Sequence, residues 1–297
     1  MRNTLSSTNR PRLPSWIREK TLNLRDLHEV KSLMRSRSLH TVCESLACPN
    51  RSDCFSRGTA TFMILGDICT RTCGFCNVTT GRPYAAPSPD EPAAVAETAM
   101  QMGLKHVVVT SVTRDDLPDG GASHFAATIR AIRSAVPEAA IEVLTSDFHG
   151  NLDAVRTVIA ARPDYFNHNV ETVPRLYDWV RPGSRFNRSV QVLRHAGEID
   201  PSIPRKSGFM LGLGERRDEV VQVMKDLLTA GCSILTIGQY LQPKLEKLDV
   251  VEYVHPDVFD QYQTIGEEMG FAAVFSGPFV RSSYMADEVA GKAGDRP

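Results

Sequence analysis

Three cysteines, Cys69, Cys73 and Cys76, lie within eight positions in the stretch CTRTCGFCN, in a chain that has seven cysteines in all. A structural zinc site normally closes with four ligands, so three thiolates leave one coordination position unfilled. A [4Fe-4S] cluster bound by three cysteines also keeps one iron open, and an open iron can bind a substrate. The CxxxCxxC spacing after a predicted strand favours the cluster over a zinc site with a remote fourth ligand or a chance grouping of thiols.

A second set of cysteines comes earlier in the chain. In VCESLACPNRSDC, the residues Cys43, Cys48 and Cys54 have the spacing CxxxxCxxxxxC. By itself this spacing indicates either a zinc site or an iron-sulfur site. The last cysteine, Cys232, directly precedes the apolar run SILTIGQY, where a lone cysteine is expected to be a small buried hydrophobe. We therefore expect six cysteines in two metal sites.

Polar residues in two predicted strands are candidate ligand contacts. In FNHNVET, Asn167, Asn169 and Glu171 alternate, so in a strand they would point to one face. Asn and Glu on an inward face need polar partners, so a polar ligand is expected there. His168 would point outward and is interpreted as structural. Lys206 begins KSGFMLGLGE, a strand pattern that ends in glycines, which is a weaker signal.

The candidate site residues must be positioned by the rest of the chain, in which apolar strand patterns alternate with amphipathic helix patterns. The six strand patterns are Ala60–Gly66, His106–Val112, Ile141–Ser146, Tyr165–Glu171, Ser207–Gly214 and Ser233–Tyr240. Near-continuous apolar strands that are each followed by a helix predict a parallel sheet covered on its outer face. Six units are too few for a closed eight-stranded barrel, so we expect an α/β fold, a partial (β/α)6 TIM-type barrel with an open side. Polar loops such as TRDDLPDGG follow the strands, at the edge where such folds bind ligands.

Length and charge narrow the class of protein. Residues 1–57 are expected to form an N-terminal extension, and residues 58–297 one compact unit of barrel and C-terminal segment. With 34 basic and 35 acidic residues the formal charge is −1, so neither nucleic acid nor an anionic membrane is an expected partner. The apolar runs are far shorter than the roughly 20 residues of a membrane span. We expect a cytoplasmic protein, whose odd number of cysteines favours metal chemistry over disulfides.

The CxxxCxxC stretch resembles the motif of the radical S-adenosylmethionine superfamily, in which the open iron binds the amino and carboxylate groups of S-adenosylmethionine. Taken with GTATFMILGD, DDLPDGGA, FNHNVETVPRLY, KSGFMLGLGE and SGPFVRSSY, the two cysteine sets resemble the lipoyl synthase family. The resemblance extends from RLPSWI to SSYMA. The chain departs from the family pattern in YLQPKLEKLDV, where Lys247 and Asp249 stand in place of His and Pro.

The resemblance implies two [4Fe-4S] clusters and S-adenosylmethionine as cofactors. The cluster that binds S-adenosylmethionine would be held by Cys69, Cys73 and Cys76. The N-terminal and C-terminal extensions would carry an auxiliary cluster whose four ligands are Cys43, Cys48, Cys54 and Ser282 of the RSSY motif. Ser283 is the less favoured alternative to Ser282. The expected cofactor contacts are Asn169, Glu171 and Lys206.

The resemblance also implies a reaction and its partners. Two sulfur atoms from the auxiliary cluster would be inserted at C6 and C8 of an octanoyl chain on a lysine of a lipoyl carrier domain, with no side chain acting as a general acid or base. The implied partners are a carrier of the glycine cleavage H protein or 2-oxoacid dehydrogenase E2 type, a reducing flavodoxin or ferredoxin, and an iron-sulfur carrier protein. The alternatives are a biotin synthase-like sulfur inserter, a methylthiotransferase, and a non-catalytic protein with two structural metal sites.

Overall fold

The computed structural model describes residues 13–18, 39–41, 50, 54 and 59–283. The strands in this part of the chain are β1 (His40–Thr41), β2 (Thr59–Ile64), β3 (Ile68–Cys69), β4 (Thr79–Thr80), β5 (His106–Ser111), β6 (Ala140–Leu144), β7 (Tyr165–Asn167), β8 (Arg205–Leu211), β9 (Cys232–Gln239) and β10 (Ala273–Gly277). The α-helices are α1 (Ser15–Arg18), α2 (Glu91–Gln101), α3 (Ala122–Ala135), α4 (Leu152–Ala160), α5 (Tyr177–Val180), α6 (Phe186–Ile199), α7 (Arg217–Thr229) and α8 (Pro256–Met269). None of these helices is long and apolar enough to cross a membrane.

In the part of the chain that the structure describes, eight strands form one sheet in the order β1-β2-β5-β6-β7-β8-β9-β10, and β3 pairs with β4 in a separate two-stranded sheet. In the large sheet the strands from β2 to β10 run parallel, and β1 is antiparallel to β2. Within the described residues β1 and β10 are unpaired ends, so the expected partial barrel with an open side is confirmed. All parallel strands present their carboxyl ends at one edge, where ligand sites of such folds lie.

The outer face of the sheet carries the main hydrophobic core. Side chains alternate along a strand, so Val107 and Val109 of β5 share one face while Val108 points to the other. Val107 and Val109 pack in the main core with Phe125 and Ile129 of α3, and all four are fully buried. Fully burying a Val, Ile or Phe side chain contributes about 1.5–3 kcal/mol. The burial of apolar side chains that recur at strand spacing in β5 and at helix spacing in α3 therefore holds the helix on this face.

The inner face of the sheet contains a buried ionic group. The Nζ atom of Lys206 lies 3.1 Å from both carboxylate oxygens of Glu142, and neither side chain is exposed. The Nδ2 atom of Asn167 donates to the same carboxylate at 2.9 Å, and His106 Nε2 lies 3.5 Å from it. Burial acts to raise the pKa of Glu142, but Lys206 and the other two neighbours hold that pKa well below its ordinary value of 4.5. The buried carboxylate stays charged only because its cation is beside it.

The strand predicted over Tyr165–Glu171 is shorter in the structure, because β7 ends at Asn167. Glu171 has a φ of +66°, in the left-handed region that non-glycine residues rarely adopt. Of the three polar residues predicted to lie in this strand, β7 itself therefore contains only Asn167. Asn167 points to Glu142 inside the sheet, while Asn169 and Glu171 lie beyond the strand at the carboxyl edge.

The six predicted strands correspond to β2, β5, β6, β7, β8 and β9, and the structure adds β10 as a seventh parallel strand. Its sequence AVFSG was not among the predicted strands. Only Ala273 and Val274 in this strand are buried, while the last three residues are partly exposed. A five-residue strand with two buried side chains has too weak an apolar pattern to stand out in sequence.

The buried pair of Lys206 and Glu142 makes a testable contribution to stability. We expect Lys206→Met to lower the free energy of unfolding by about 3–5 kcal/mol, because it leaves a carboxylate buried without a cation. The double variant Glu142→Leu with Lys206→Met should recover much of this loss, since no charge is then buried. The measurement is urea unfolding of each variant at neutral pH. A loss below about 1 kcal/mol in the single variant would show that the pair does not carry this role.

The same pair predicts the direction of the acid response. The folded-state pKa of Glu142 lies below its unfolded value, so its contribution to stability is present above about pH 4.5 and is lost as the pH falls further. In the double variant this loss should be smaller than in the natural chain over the same pH range.

Candidate active site

The cysteine loop, residues 69–76, follows the carboxyl end of β2. Strands β3 and β4 pair at its base, with Cys69 opposite Thr80, and the Gly81 nitrogen donates to the Cys69 carbonyl at 3.0 Å. The Cys76 nitrogen donates to the Cys73 carbonyl at 3.2 Å, which forms a tight turn between these two cysteines. The local pairing of residues on either side therefore folds Cys69, Cys73 and Cys76 into one loop at the edge where the strands end.

The three thiols share a partly buried environment. The Cys69 sulfur accepts from the backbone nitrogens of Arg71 at 3.5 Å and Thr113 at 3.3 Å. Burial raises the pKa of Cys73, and it raises that of Cys76 to about 11. Thiols with raised pKa values stay protonated at neutral pH unless a bound cation favours the thiolate. Backbone N–H groups directed at sulfur are a feature that tunes iron-sulfur clusters.

The chemical type of the donors fits an iron-sulfur cluster. Among the described residues no group of three or more His, Cys, Asp or Glu side chains is arranged as ligands of one metal ion. In a [4Fe-4S] cluster each thiolate binds a different iron, so its sulfurs lie further apart than the ligands of one ion. Cys69, Cys73 and Cys76 also influence one another electrostatically, which places them in a common neighbourhood. Three soft thiolates at one edge of the sheet suit an iron-sulfur cluster with one open iron.

Arg71, between the first two cysteines, connects the cysteine loop to three other segments. Its Nε and Nη2 atoms lie 2.7 and 2.8 Å from the two carboxylate oxygens of Asp115. Nη2 also lies 2.5 Å from Asp147, and Nη1 donates to Ser184 at 3.0 Å. Arg71 is only 7% exposed, and although burial opposes its charge, the two carboxylates raise its pKa above the ordinary value. This clamp was not predicted, since an arginine between cysteines carries no recognisable sequence signal.

Gly74 allows a second loop to pack directly on the cysteine loop. Its nitrogen donates to the Val180 carbonyl at 2.9 Å, and its carbonyl accepts from the Leu248 nitrogen at 3.1 Å. A Cβ atom at Gly74 would lie 2.6 Å from Leu248 Cγ, which is too close for any side chain without movement. The residues that depart from the family pattern, Lys247 and Asp249, therefore flank a direct contact with the cysteine loop.

Glu171 lies in the neighbourhood of Cys73, and Asn169 is connected to it through Arg181. Arg181 donates from Nη1 to the Asn169 carbonyl at 2.8 Å, and both Arg181 and Glu171 influence the pKa of Cys73. Burial raises the pKa of Glu171, with Arg181 and Asn169 opposing the shift. The Asn169 Oδ1 atom is buried and has no hydrogen-bond partner among the described residues. A buried acceptor without a donor suits a polar ligand, so this role stays a prediction with a structural basis.

Lys206 lies away from the cysteine loop. It is the second residue of β8, it is fully buried, and its ammonium group is engaged by Glu142. Its contact with a cofactor stays a prediction that this arrangement does not support. His168 is also fully buried, and its Nδ1 lies 2.8 Å from the Thr145 carbonyl. Burial lowers the pKa of His168 to about 4, so the ring is neutral, in keeping with a structural role.

The first cysteine set is described only in part, because Cys43 and Cys48 lie outside the described residues. Asn50 is fully buried, and its Nδ2 atom donates to the Phe279 carbonyl at 2.6 Å. The Cys54 nitrogen donates to the Asn50 carbonyl at 2.9 Å. A segment of the N-terminal cysteine motif therefore touches the chain three residues before Ser282, although 229 positions separate Asn50 from Phe279.

Comparisons with known proteins agree with this geometry. The profile of the Radical SAM superfamily matches residues 63–227, more than half of the chain. A lipoyl synthase of Rubrobacter xylanophilus is 56% identical over 275 residues, which cover 93% of this chain and 85% of the relative. A lipoyl synthase of Caldanaerobacter subterraneus subsp. tengcongensis is 53% identical over 276 residues, with 93% and 96% covered.

Solved structures show the same fold at low sequence identity. Methylornithine synthase has a TM-score of 0.54 and 13% identity, with 82% of this chain and 74% of that chain covered. The FeFe-hydrogenase maturase HydG from Carboxydothermus hydrogenoformans has a TM-score of 0.53 and 13% identity, with 91% and 79% covered. At these identities the likeness concerns the fold alone. On the sequence matches and the site together, the chain belongs to the lipoyl synthase family of the radical SAM superfamily.

Proposed function

We propose that the protein inserts sulfur at C6 and C8 of an octanoyl chain carried on a lysine of a lipoyl carrier protein. The observation that carries this proposal is the hydrogen bond from Asn50 to the Phe279 carbonyl. It joins the segment that contains the first cysteine set to the segment that contains Ser282, while Cys69, Cys73 and Cys76 form a separate loop. Two separate sites are what the reaction needs, one to activate a C–H bond and one to supply sulfur.

The first site activates the substrate. The superfamily uses a [4Fe-4S] cluster and S-adenosylmethionine, which together supply a 5′-deoxyadenosyl radical able to abstract hydrogen from an unactivated carbon. Cys69, Cys73 and Cys76 would hold the cluster. Asn169 and Glu171 would bind polar groups of S-adenosylmethionine, because Asn169 has a buried oxygen without a hydrogen-bond partner among the described residues and Glu171 is a partly buried carboxylate nearby. The saturated octanoyl carbons have no acidity for a general base to use, so these side chains bind and orient.

The second site supplies the sulfur. An auxiliary [4Fe-4S] cluster bound by Cys43, Cys48, Cys54 and Ser282 is the sulfur donor and is consumed, so it acts as a substrate. A serine alkoxide is a harder ligand than a thiolate and is mismatched to the soft cluster. An iron held by Ser282 is therefore released more readily than one held by a fourth cysteine. Ser283 is the alternative ligand in the same motif.

The chemistry defines the partners. Each reductive cleavage of S-adenosylmethionine takes one electron, which a reducing flavodoxin or ferredoxin can donate. Because the donor cluster is consumed, an iron-sulfur carrier protein must rebuild it for further turnovers. The substrate is a lipoyl carrier of the glycine cleavage H protein or 2-oxoacid dehydrogenase E2 type. The reconstituted chain should contain about eight irons and eight sulfides, whereas two zinc ions without sulfide would contradict the proposal.

Substitutions in the two cysteine sets should have opposite effects. Cys73→Ala should abolish formation of 5′-deoxyadenosine and keep about half of the iron, because only one cluster loses an anchor. Cys48→Ala should still form 5′-deoxyadenosine but transfer no sulfur. The measurement is joint quantification of 5′-deoxyadenosine and of product on an octanoylated carrier peptide under anaerobic conditions. Normal product yield from Cys48→Ala would show that the first set is not the donor site.

The role of Ser282 predicts how two substitutions differ. Ser282→Cys should assemble the auxiliary cluster but release sulfur poorly, since a thiolate binds iron more tightly than an alkoxide. Ser282→Ala should leave cleavage of S-adenosylmethionine intact and weaken sulfur transfer. Single-turnover yields of both products measure the coupling, with Ser283→Ala as the matched control that should behave as the natural chain. Unchanged coupling in both Ser282 variants would move the assignment to Ser283.

The clamp formed by Arg71 should be required for the first site. Arg71→Gln removes the ion pairs of the cysteine loop with Asp115 and Asp147, while the hydrogen bond from the Asp115 nitrogen to the Thr70 hydroxyl remains. We expect the rate of S-adenosylmethionine cleavage to fall about 10- to 100-fold, the usual cost of removing a group that orients metal ligands. The electron paramagnetic resonance signal of the reduced cluster, recorded with and without S-adenosylmethionine, reports its environment directly.

Arg188→Gln is the matched control for the Arg71 clamp. Arg188 Nε lies 2.7 Å from the second carboxylate oxygen of Asp147, but no bond joins Arg188 to the cysteine loop among the described contacts. Its substitution should change the cleavage rate much less than Arg71→Gln does. Equal effects of the two substitutions would assign the requirement to the charge of Asp147 and not to the clamp.

A further inference from the structure

The last described residues, 278–283, form a segment that folds back over the inner face of the sheet. A turn begins it, in which the Val280 nitrogen donates to the Gly277 carbonyl at 3.1 Å. The segment then passes over Gly238 on β9. A Cβ atom at Gly238 would lie 2.2 Å from the Val280 carbonyl oxygen and 3.2 Å from Arg281 Nη1. The backbone of this segment therefore occupies the space that any side chain at position 238 would need.

The glycine at position 238 is required by its neighbour and not by its own backbone. Gly238 is not among the glycines with positive φ, so an L residue could adopt its conformation. The atom that a Cβ would meet at 2.2 Å is a main-chain oxygen, which cannot rotate away as the end of a side chain can. Gly238 pairs with Gly277 of β10, where a Cβ would meet only Val280 Cγ2 at 3.4 Å, an ordinary contact.

The segment is also held by the first cysteine motif. Asn50 lies between Cys48 and Cys54 in sequence, and its side chain binds the Phe279 carbonyl at 2.6 Å. Phe279 and Val280 are consecutive, so one short stretch of backbone is fixed by Asn50 and by the surface of β9. Ser282 follows two residues later.

We infer that Gly238 is a positioning residue that sets where Ser282 lies relative to the first cysteine motif. Without a side chain at 238 the backbone at Val280 rests directly on β9, and this contact fixes the start of the RSSY motif. A methyl group at 238 would lift Val280 from the strand and shift Ser282 away from its fellow ligands. The inference rests on the proposed role of Ser282 as a ligand of the auxiliary cluster.

The test compares Gly238→Ala with Gly277→Ala in the full chain without clusters. Both substitutions add one methyl group at the same level of adjacent strands beside Val280, but only the first meets main-chain atoms. Hydrogen exchange of peptides covering residues 278–283, together with trypsin cleavage after Arg281, reports whether the segment is seated. We expect at least about tenfold faster exchange and cleavage in Gly238→Ala, and values close to the natural chain in Gly277→Ala.

Equal behaviour of the two glycine variants would overturn the inference. So would a Gly238→Ala chain that fails to fold by far-ultraviolet circular dichroism, because the methyl group would then damage the sheet itself. Asn50→Ala removes the hydrogen bond to the Phe279 carbonyl and so loosens the same segment without adding any atom to the sheet. It should also speed the hydrogen exchange of residues 278–283. No change in this exchange would show that Asn50 and Gly238 do not position the same segment.

Iron and sulfide content of the reconstituted variants separates this inference from the proposed function. Gly238→Ala should keep about four irons and its cleavage of S-adenosylmethionine, while Gly277→Ala should keep about eight. A released segment that still binds about eight irons and transfers sulfur normally would overturn the positioning role and leave the proposed function standing. A natural chain that binds only about four irons would contradict the proposed function whatever the exchange data show.

Discussion

The buried guanidinium of Arg71 is the interaction on which the arrangement of the first site depends. Each parallel strand ends at the same edge, and beyond it the loops are joined by isolated backbone hydrogen bonds, such as the one from Gly74 to Val180, and not by a continuous ladder. The side chain of Arg71 joins these loops by bonds to Asp115 after β5, Asp147 after β6 and Ser184 before α6. Burying this cation is tolerated because two carboxylates compensate it. The cysteine loop thus takes its position from the loops of the barrel and not from its own short sequence.

The inner face of the sheet carries charged side chains in one part and glycines at the carboxyl ends of two strands. The pair of Lys206 and Glu142 fills the interior with compensated charge, while the carboxyl ends of β9 and β10 carry Gly238 and Gly277. The charged side chains fill the inner face where they lie, whereas the two glycines have no side chain and leave room there for the main chain of another segment. The C-terminal segment enters at the open end, where Val280 lies against Gly238. The inner face of the sheet therefore both stabilises the fold and provides the contact surface for the segment that contains Ser282.

Sequence patterns predicted much of the fold and the chemical type of the site. Periodicity identified six strands because burial on both faces leaves long apolar runs, and spacing predicted Cys69, Cys73 and Cys76 as cluster ligands because such ligands are local in sequence. The same patterns missed β10, which buries only two side chains, and placed the end of β7 too late. A left-handed residue such as Glu171 has no signature in a single sequence, since its cost is offset by contacts elsewhere.

The sequence by itself determined which atoms can bind metal and which segments become most of the strands, because ligand type, local spacing and apolar period are all written along the chain. Only the tertiary structure decided which loops meet. Arg71 pairs with Asp115 and Asp147. Asn50 bonds to Phe279 and Gly238 contacts Val280, and in each case the residues are far apart in the chain. Such contacts follow from the order and curvature of the strands, which local residue preferences do not specify.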